Sequence, residues 1–388
     1  MAAGCEERFE TFARDHLAGQ EALLDGGENH PLSLSLQLRE AGLSNWWLPE
    51  EYGGFNTSMS KNVNIVASLS YHDAGFAFGS FLSILGTTMI DQFASQALAA
   101  QVLKDLGRSG APCAVLASEA SAGSDLTLTE TTYAERGGTL KITGRKLFST
   151  NTAEARFLVV LARNADDRTE FRAIVIPRDT PGVAVGRRWD FLGVKGSATY
   201  EVSLDGVEVA SENVLNGNGI RVLEVGLNLS RTLIAACGIG IGRRVRDLCM
   251  DYASTKEVNG RPLDQNDVFS AKMGQIEADI AVMLSQCRAA AAEIDSALSL
   301  DRGKGEGSPL YRIGTLRSAL VAKMHCGRSS WNIATVGSEM FGGSGYERTH
   351  PVNKLLRDAR FIGLVEGGED VTRSLIYSRF VRPSARRL

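Results

Sequence analysis

The sequence has no closely spaced cysteine pair. Its six cysteines (Cys5, Cys113, Cys237, Cys249, Cys287 and Cys326) are scattered, with no CxxC. That argues against a zinc site or a disulfide framework and suits a reducing, cytoplasmic compartment. Paired histidines are also missing. Five histidines without HExxH spacing give no reason to expect a bound metal. Neither sign of charge is in excess: the formal net charge of −3 points neither to nucleic acid nor to an acidic membrane surface. No continuous apolar run reaches the roughly 18 residues of a spanning helix. The N-terminus, MAAGCEERFETFARDHL, has acids where a signal peptide needs basic and then apolar residues.

What is present is ordinary globular material, 44% hydrophobic and 22% charged over 388 residues, a length that predicts two or three domains. Apolar residues recur at three- and four-residue spacing in Glu6–Leu17, Leu32–Ala41, Lys61–His72, Phe81–Ala94 and Leu98–Leu106, which predicts helices. Breaks fall at Gly26–Gly27, Glu50–Gly54 and Gly107–Pro112. The Trp46–Trp47–Leu48–Pro49 run reads as packing against the next domain, with both tryptophans in the core. From residue 113 short alternating segments take over: Cys113–Ala117, Thr131–Arg136, Thr139–Lys146, Phe157–Ala162, Phe171–Pro177, Val183–Arg188 and Thr199–Leu204. Turns at Gly137–Gly138, Pro181–Gly182 and Asp205–Gly206 separate several of them, as in a small antiparallel barrel or sandwich. Helical spacing returns in Leu223–Tyr252, Val268–Leu300 and Ile313–Phe341, with a last helix from Glu369 to Phe380 and an exposed loop at Arg302–Pro309. The expected fold is α+β: a helical domain (1–112), a β-barrel domain (113–221) and a four-helix bundle (222–388).

Three stretches carry chemistry. RDARFIGLVEGGEDVTR (357–373) sets one acid, Glu366, among apolar residues and beside Gly367 and Gly368. Apolar surroundings raise a carboxyl pKa, as a base for a weakly acidic carbon requires. A helix end followed by a solvated turn fits the same letters. AVLASEASAGSD (114–125) reads as a strand running into a small-residue loop, suited to a phosphate or a flat heteroaromatic ring, or only to a turn. KLFSTN (146–151) puts Phe148 two residues before the Thr150 hydroxyl at a strand end. Such a pair can cover and hydrogen-bond a flavin, or sit in a core. CGIGIGR (237–243) imitates a dinucleotide fingerprint. It is GxGxG inside a helical pattern, with no βαβ unit, and reads as close helix packing.

Taken together, these stretches resemble the acyl-CoA dehydrogenase family over nearly the whole chain. SEASAGSD (118–125) is similar to that family's TEPxAGSD, KLFSTN to KxWITN, and FLGVKGSATYEVSLDGVEV (191–209) to LGxRGSxTxxxxFxxVxV. LNLSRTLIAACGIG (227–240), YASTKEVNGRPL (252–263), EMFGGSGY (339–346) and the 357–373 stretch resemble LxxxRxxIAAxxxG, YAxxRxxFGxPL, QxFGGxGY and RDAxxxxIxEGTxxIxR. The resemblance implies FAD and an acyl thioester substrate. A carboxylate takes the α-proton while the β-hydride passes to flavin N5, and electrons leave to an electron-transfer flavoprotein or to oxygen. Glu366 falls on the usual base position. The position used in other branches of the family is Ser230 here. By the same resemblance Ala117, Ser118, Gly123, Ser124, Phe148, Ser149, Thr150, Gly368 and Asp370 would meet the flavin. Ser124, Asn228, Arg231 and Gly367 would meet the substrate. Lys256, Glu339, Phe341, Gly342 and Gly343 would reach the FAD of a neighbouring subunit in a homodimer or homotetramer.

The chain departs from the family pattern in places. Phe148 stands for Trp, Lys256 for Arg, Glu339 for Gln, Asn259 for Phe, Gly368 for Thr and Asn228 for a frequent Asp. These are cofactor-sharing and substrate-arm positions. Their drift points to a specialised member, with a substrate carried on an acyl or peptidyl carrier protein as one option beside acyl-CoA. A flavin monooxygenase on the same fold, from which the glutamate is generally missing, and a flavin-free scaffold are the competing readings.

Overall fold

The computed structural model describes residues 4–26, 32–299 and 304–383. Gly27 of the expected first break and the start of the Arg302–Pro309 loop lie outside these residues. Seven helices open the chain: α1 (Cys5–Phe12), α2 (Glu21–Asp25), α3 (Leu32–Glu40), α4 (Met59–His72), α5 (Ala74–Phe81), α6 (Ser83–Phe93) and α7 (Gln96–Ser109). The periodicity missed α5. Asp73 creates it by capping the Phe76 N–H at 2.6 Å. Trp46 and Trp47 are buried, but within this domain and not against the next. Each indole N–H finds its acceptor here, on Asn62 and Thr87, both at 2.8 Å.

The middle domain is a curled seven-stranded sheet: β1 (Cys113–Leu116), β2 (Thr132–Arg136), β3 (Thr139–Thr150), β4 (Phe157–Asn164), β5 (Phe171–Pro177), β6 (Val183–Arg188) and β7 (Thr199–Ala210). It is not wholly antiparallel, because β1 and β2 both pair with β4 in parallel. The expected turn at Asp205–Gly206 lies inside β7. Gly206 takes a φ of 58° where the β3–β7 register slips, so a bulge bends the strand without ending it.

Three long helices follow: α8 (Gly219–Thr255), α9 (Asp267–Ser299) and, after a one-turn α10 (Pro309–Ile313), α11 (Arg317–Met340). Asn218 caps α8 through the Ile220 and Arg221 N–H groups, so the helix starts three residues before 222. The fourth helix of the bundle is α12 (Pro351–Ile362), which the spacing did not reveal. The closing segment is α13 (Glu369–Ile376), which runs into one wider turn, Tyr377–Val381. The CGIGIGR glycines are packing sites. A Cβ on Gly240 would lie 2.2 Å from Ser70 Oγ and 2.5 Å from Ala67 O, so α4 crosses α8 at backbone contact. Contrary to expectation, the stretch Ala74–Phe93 and α8 are apolar enough on average to span a membrane. In α8, 94% of that apolar window is buried within the protein.

Candidate active site

Glu366 lies on the turn between α12 and α13, and its backbone is unusual. Glu366 has φ 52° and Gly367 φ 93°, two consecutive left-handed residues. For glutamate this costs on the order of 1–2 kcal/mol. Three bundle side chains hold the turn in place. Ser230 Oγ donates to Glu366 Oε2 at 2.7 Å. Arg231 Nε and Nη2 donate to the Glu366 carbonyl at 3.1 and 3.0 Å. Lys323 Nζ donates to the Gly367 carbonyl at 2.7 Å. Desolvation raises the Glu366 pKa, while Arg231, the Ser230 hydrogen bond and Lys323 pull it back. The result is a carboxyl above its ordinary range in a half-buried position.

A second constellation forms where β1 leaves the sheet beside β3. Lys146 on β3 is fully buried. Its ammonium donates to Glu119 Oε1 at 2.7 Å and to the Ala117 carbonyl at 3.1 Å. Glu119 also accepts the N–H groups of Glu130 and Thr131, and Leu147 N–H donates to the Ser118 carbonyl at 2.8 Å. The loop Ser118–Asp125 and the strand KLFSTN are therefore one unit. Phe148 occupies a bulge, between Lys146 and Ser149 in the β3–β7 register, with φ 55°. The bulge turns the ring outward, where it is 50% exposed. Trp189 and Phe191 flank it at ring distances of 4.7 and 6.1 Å.

The predicted residues separate by location. Ala117, Ser118, Gly123, Ser124, Phe148, Ser149 and Thr150 share this cradle. The Thr150 hydroxyl is paired with that of Thr199 at 2.8 Å. Gly367, Gly368, Ser230 and Arg231 meet at the Glu366 turn. Asp370 points outward, paired with Arg373 at 2.7 Å. Asn228 is fully buried, and its amide is bonded at 2.8 Å to both the Gly314 carbonyl and the Leu316 N–H. Lys256 follows the end of α8, 25 residues beyond Arg231, or about 38 Å along the helix. Glu339 is exposed and paired with Lys272 at 3.2 Å. Phe341 is buried against Tyr252 and His350, and Gly342 and Gly343 are open to solvent. This corner lies well away from the Arg231 end of α8. Asn259 with Gly260 (φ 54° and 71°) forms the two-residue turn of the hairpin β8 (Glu257–Val258) and β9 (Arg261–Pro262). Sequence reasoning missed Lys323, Glu119 and Lys146. A lone lysine on an apolar helix face is a faint signal until its partners are known.

A helical domain, a curled sheet and a helical bundle, with a desolvated carboxylate and an aromatic-walled cradle, define the three-domain flavoprotein oxidoreductases. The chain belongs to the acyl-CoA dehydrogenase family: residues 5–109, 114–207 and 217–381 match its N-terminal, middle and C-terminal domains. It is 29% identical to an acyl-CoA dehydrogenase of Bacillus subtilis (strain 168) over 95% of both chains. It is 28% identical to cyclohexane-1-carbonyl-CoA dehydrogenase of Geobacter metallireducens over 98% of this chain and 97% of that one. In fold it superposes on butyryl-CoA dehydrogenase from Megasphaera elsdenii with a TM-score of 0.85, 24% identity, and coverage of 96% and 97%. The family is FAD-dependent, and the cradle fits a flavin. Among the described residues, Ser149 Oγ and Trp189 Nε1 are buried without a protein partner, and an outward aromatic ring offers a flat ligand a stacking face.

Proposed function

We propose that the chain catalyses α,β-dehydrogenation of an acyl thioester, with Glu366 removing the α-proton. The observation that carries this reading is the Glu366 turn: a carboxylate with raised pKa, oriented by Ser230 and fixed through its own backbone by Arg231. A carboxyl raised above its ordinary range holds an abstracted proton better than a solvated acid would. The flavin, when bound, supplies the hydride acceptor. The cradle residues orient it: Phe148 offers a ring face, Ser149 an unpaired hydroxyl, and the Glu119–Lys146 pair a fixed loop.

The distance along α8 between Arg231 and Lys256 supports a second copy of the chain completing the cofactor site, in a dimer or tetramer. An electron-transfer flavoprotein or oxygen is the proposed acceptor, and the six free thiols suit the cytoplasm. The amide of Asn228 is committed to backbone groups, so it is withdrawn from the substrate arm. The thioester can be presented by CoA or by an acyl or peptidyl carrier protein, because both carry the same pantetheine arm. The test is anaerobic mixing of purified flavoprotein with acyl-CoA and acyl-carrier-protein thioesters while oxidised-flavin absorbance is followed. Bleaching by either set is expected, and the set that bleaches identifies the carrier. Glu366→Gln should keep its FAD and lose at least about 100-fold in bleaching rate. Rapid bleaching in that variant would assign the proton to another residue.

A further inference from the structure

We propose that Lys323 is a positioning residue for the Glu366 base, gripping the turn that carries it and setting the field at its carboxylate. The inference rests on the proposed role of Glu366. Lys323 lies on α11 and is 1% exposed. Its ammonium donates to the Gly367 carbonyl at 2.7 Å, while Arg231, from α8, donates twice to the Glu366 carbonyl one peptide earlier. Two cations from two helices therefore hold two successive peptide planes.

In a trans peptide the N–H points opposite to the C=O. Fixing the Glu366 and Gly367 carbonyls toward the bundle turns the Gly367 and Gly368 N–H groups away from it. Among the described residues neither of these groups, nor the Glu366 N–H, has a protein acceptor. The grip thus leaves free backbone donors on the turn that carries the carboxylate, and donors of this kind can receive a developing negative charge.

A buried ammonium is costly unless it is compensated, and among the described residues Lys323 has no directly paired carboxylate. The charged groups around it come from three elements: Arg231 from α8, Glu366 from the turn and Glu369 from α13. Burial and the Arg231 charge hold the Lys323 pKa below the ordinary lysine range, and the two acids counter this. A cation in this place favours ionised Glu366. Its removal should therefore raise the base's titration and free the turn together.

The experiment is an infrared difference titration of the Glu366 carboxyl in the resting, FAD-loaded protein, referenced to Glu366→Gln. No thioester is present, so the result stands apart from whether thioesters bleach the flavin. Lys323→Gln keeps a donor and removes the charge, and should move the midpoint up by about one pH unit. Lys323→Met should move it at least as far and lower the melting temperature more. Lys323→Arg keeps the charge and should leave the midpoint near wild type, which also provides a reading if the neutral variants do not fold. A Lys323→Gln midpoint equal to wild type, with only the melting temperature reduced, would overturn the proposal, as would a Lys323→Arg midpoint raised like that of a neutral variant.

Discussion

Ser230 is the polar neighbour through which the Glu366 carboxylate is aimed. It is fully buried, and its hydroxyl donates to Oε2 at 2.7 Å. By resemblance to the family it occupies the position that carries the base in other branches, so the two positions meet in space. A serine there cannot abstract the proton, but it orients Glu366, the proposed base. Hydrogen bonding to the ionised form lowers a carboxyl pKa. Ser230→Ala should therefore raise the pH at which activity appears and cut the rate at neutral pH about tenfold, the value of one bond to a charged group. The pH profile of anaerobic flavin bleaching tests this. The sign follows from the raised folded-state pKa of Glu366. The base is protonated and idle at low pH, and the rate climbs as pH rises through a midpoint above the ordinary carboxyl value.

At the scale of elements, one ion pair joins the two motifs of the proposed flavin cradle. Burial alone would raise the Glu119 pKa. The Lys146 ammonium and the bonds from Thr131 and Glu130 outweigh burial and hold it below the ordinary glutamate value. A depressed carboxyl contributes stability that is present above its unfolded value and is lost as pH falls through its folded value. As pH falls below the ordinary glutamate range the cradle should therefore loosen and release flavin, measured as free FAD fluorescence after acidification. Glu119→Gln strips Lys146 of its only nearby acid among the described residues. The cost should be about 3–5 kcal/mol, seen as a lower melting temperature and reduced FAD content at neutral pH. Retention of full FAD by this variant would show that the loop holds its shape without the pair.

Across the whole molecule, a buried knot ties the three domains. Lys354 on α12 pairs with Asp73, at the α4–α5 junction, at 2.6 Å and with Asp358 at 2.5 Å. Asp358 in turn accepts the Val194 N–H of the middle domain at 2.6 Å. Val194 is held at φ 48°, a conformation a β-branched residue rarely takes, and Gly193 beside it touches the backbone of Arg357. The knot therefore sets how the sheet, with its cradle, sits against the helix that leads to Glu366. Lys354→Met would leave two buried carboxylates facing each other. It should cost about 3–5 kcal/mol, read from chemical denaturation, with accelerated proteolysis between the domains. A stable, protease-resistant Lys354→Met protein would remove the knot from this account.

Much of this was legible beforehand because it depends on local rules. Helical and alternating spacing marked the α–β–α order, since periods of 3.6 and 2 follow from backbone geometry. The glycine pair beside Glu366, the small-residue loop and the aromatic at a strand end were visible as residue types. GxGxG inside a helical pattern was readable as packing, and Gly240 against Ser70 bears that out. Tertiary structure decided what no spacing records. It made β1 and β2 parallel to β4, turned Phe148 outward on a bulge, and turned Asn228 inward to backbone groups. It also set Lys146 on Glu119, and Ser230, Arg231 and Lys323 around one turn. A buried charge is tolerated only where its partner arrives, and these partners lie 27 to 136 residues away in sequence.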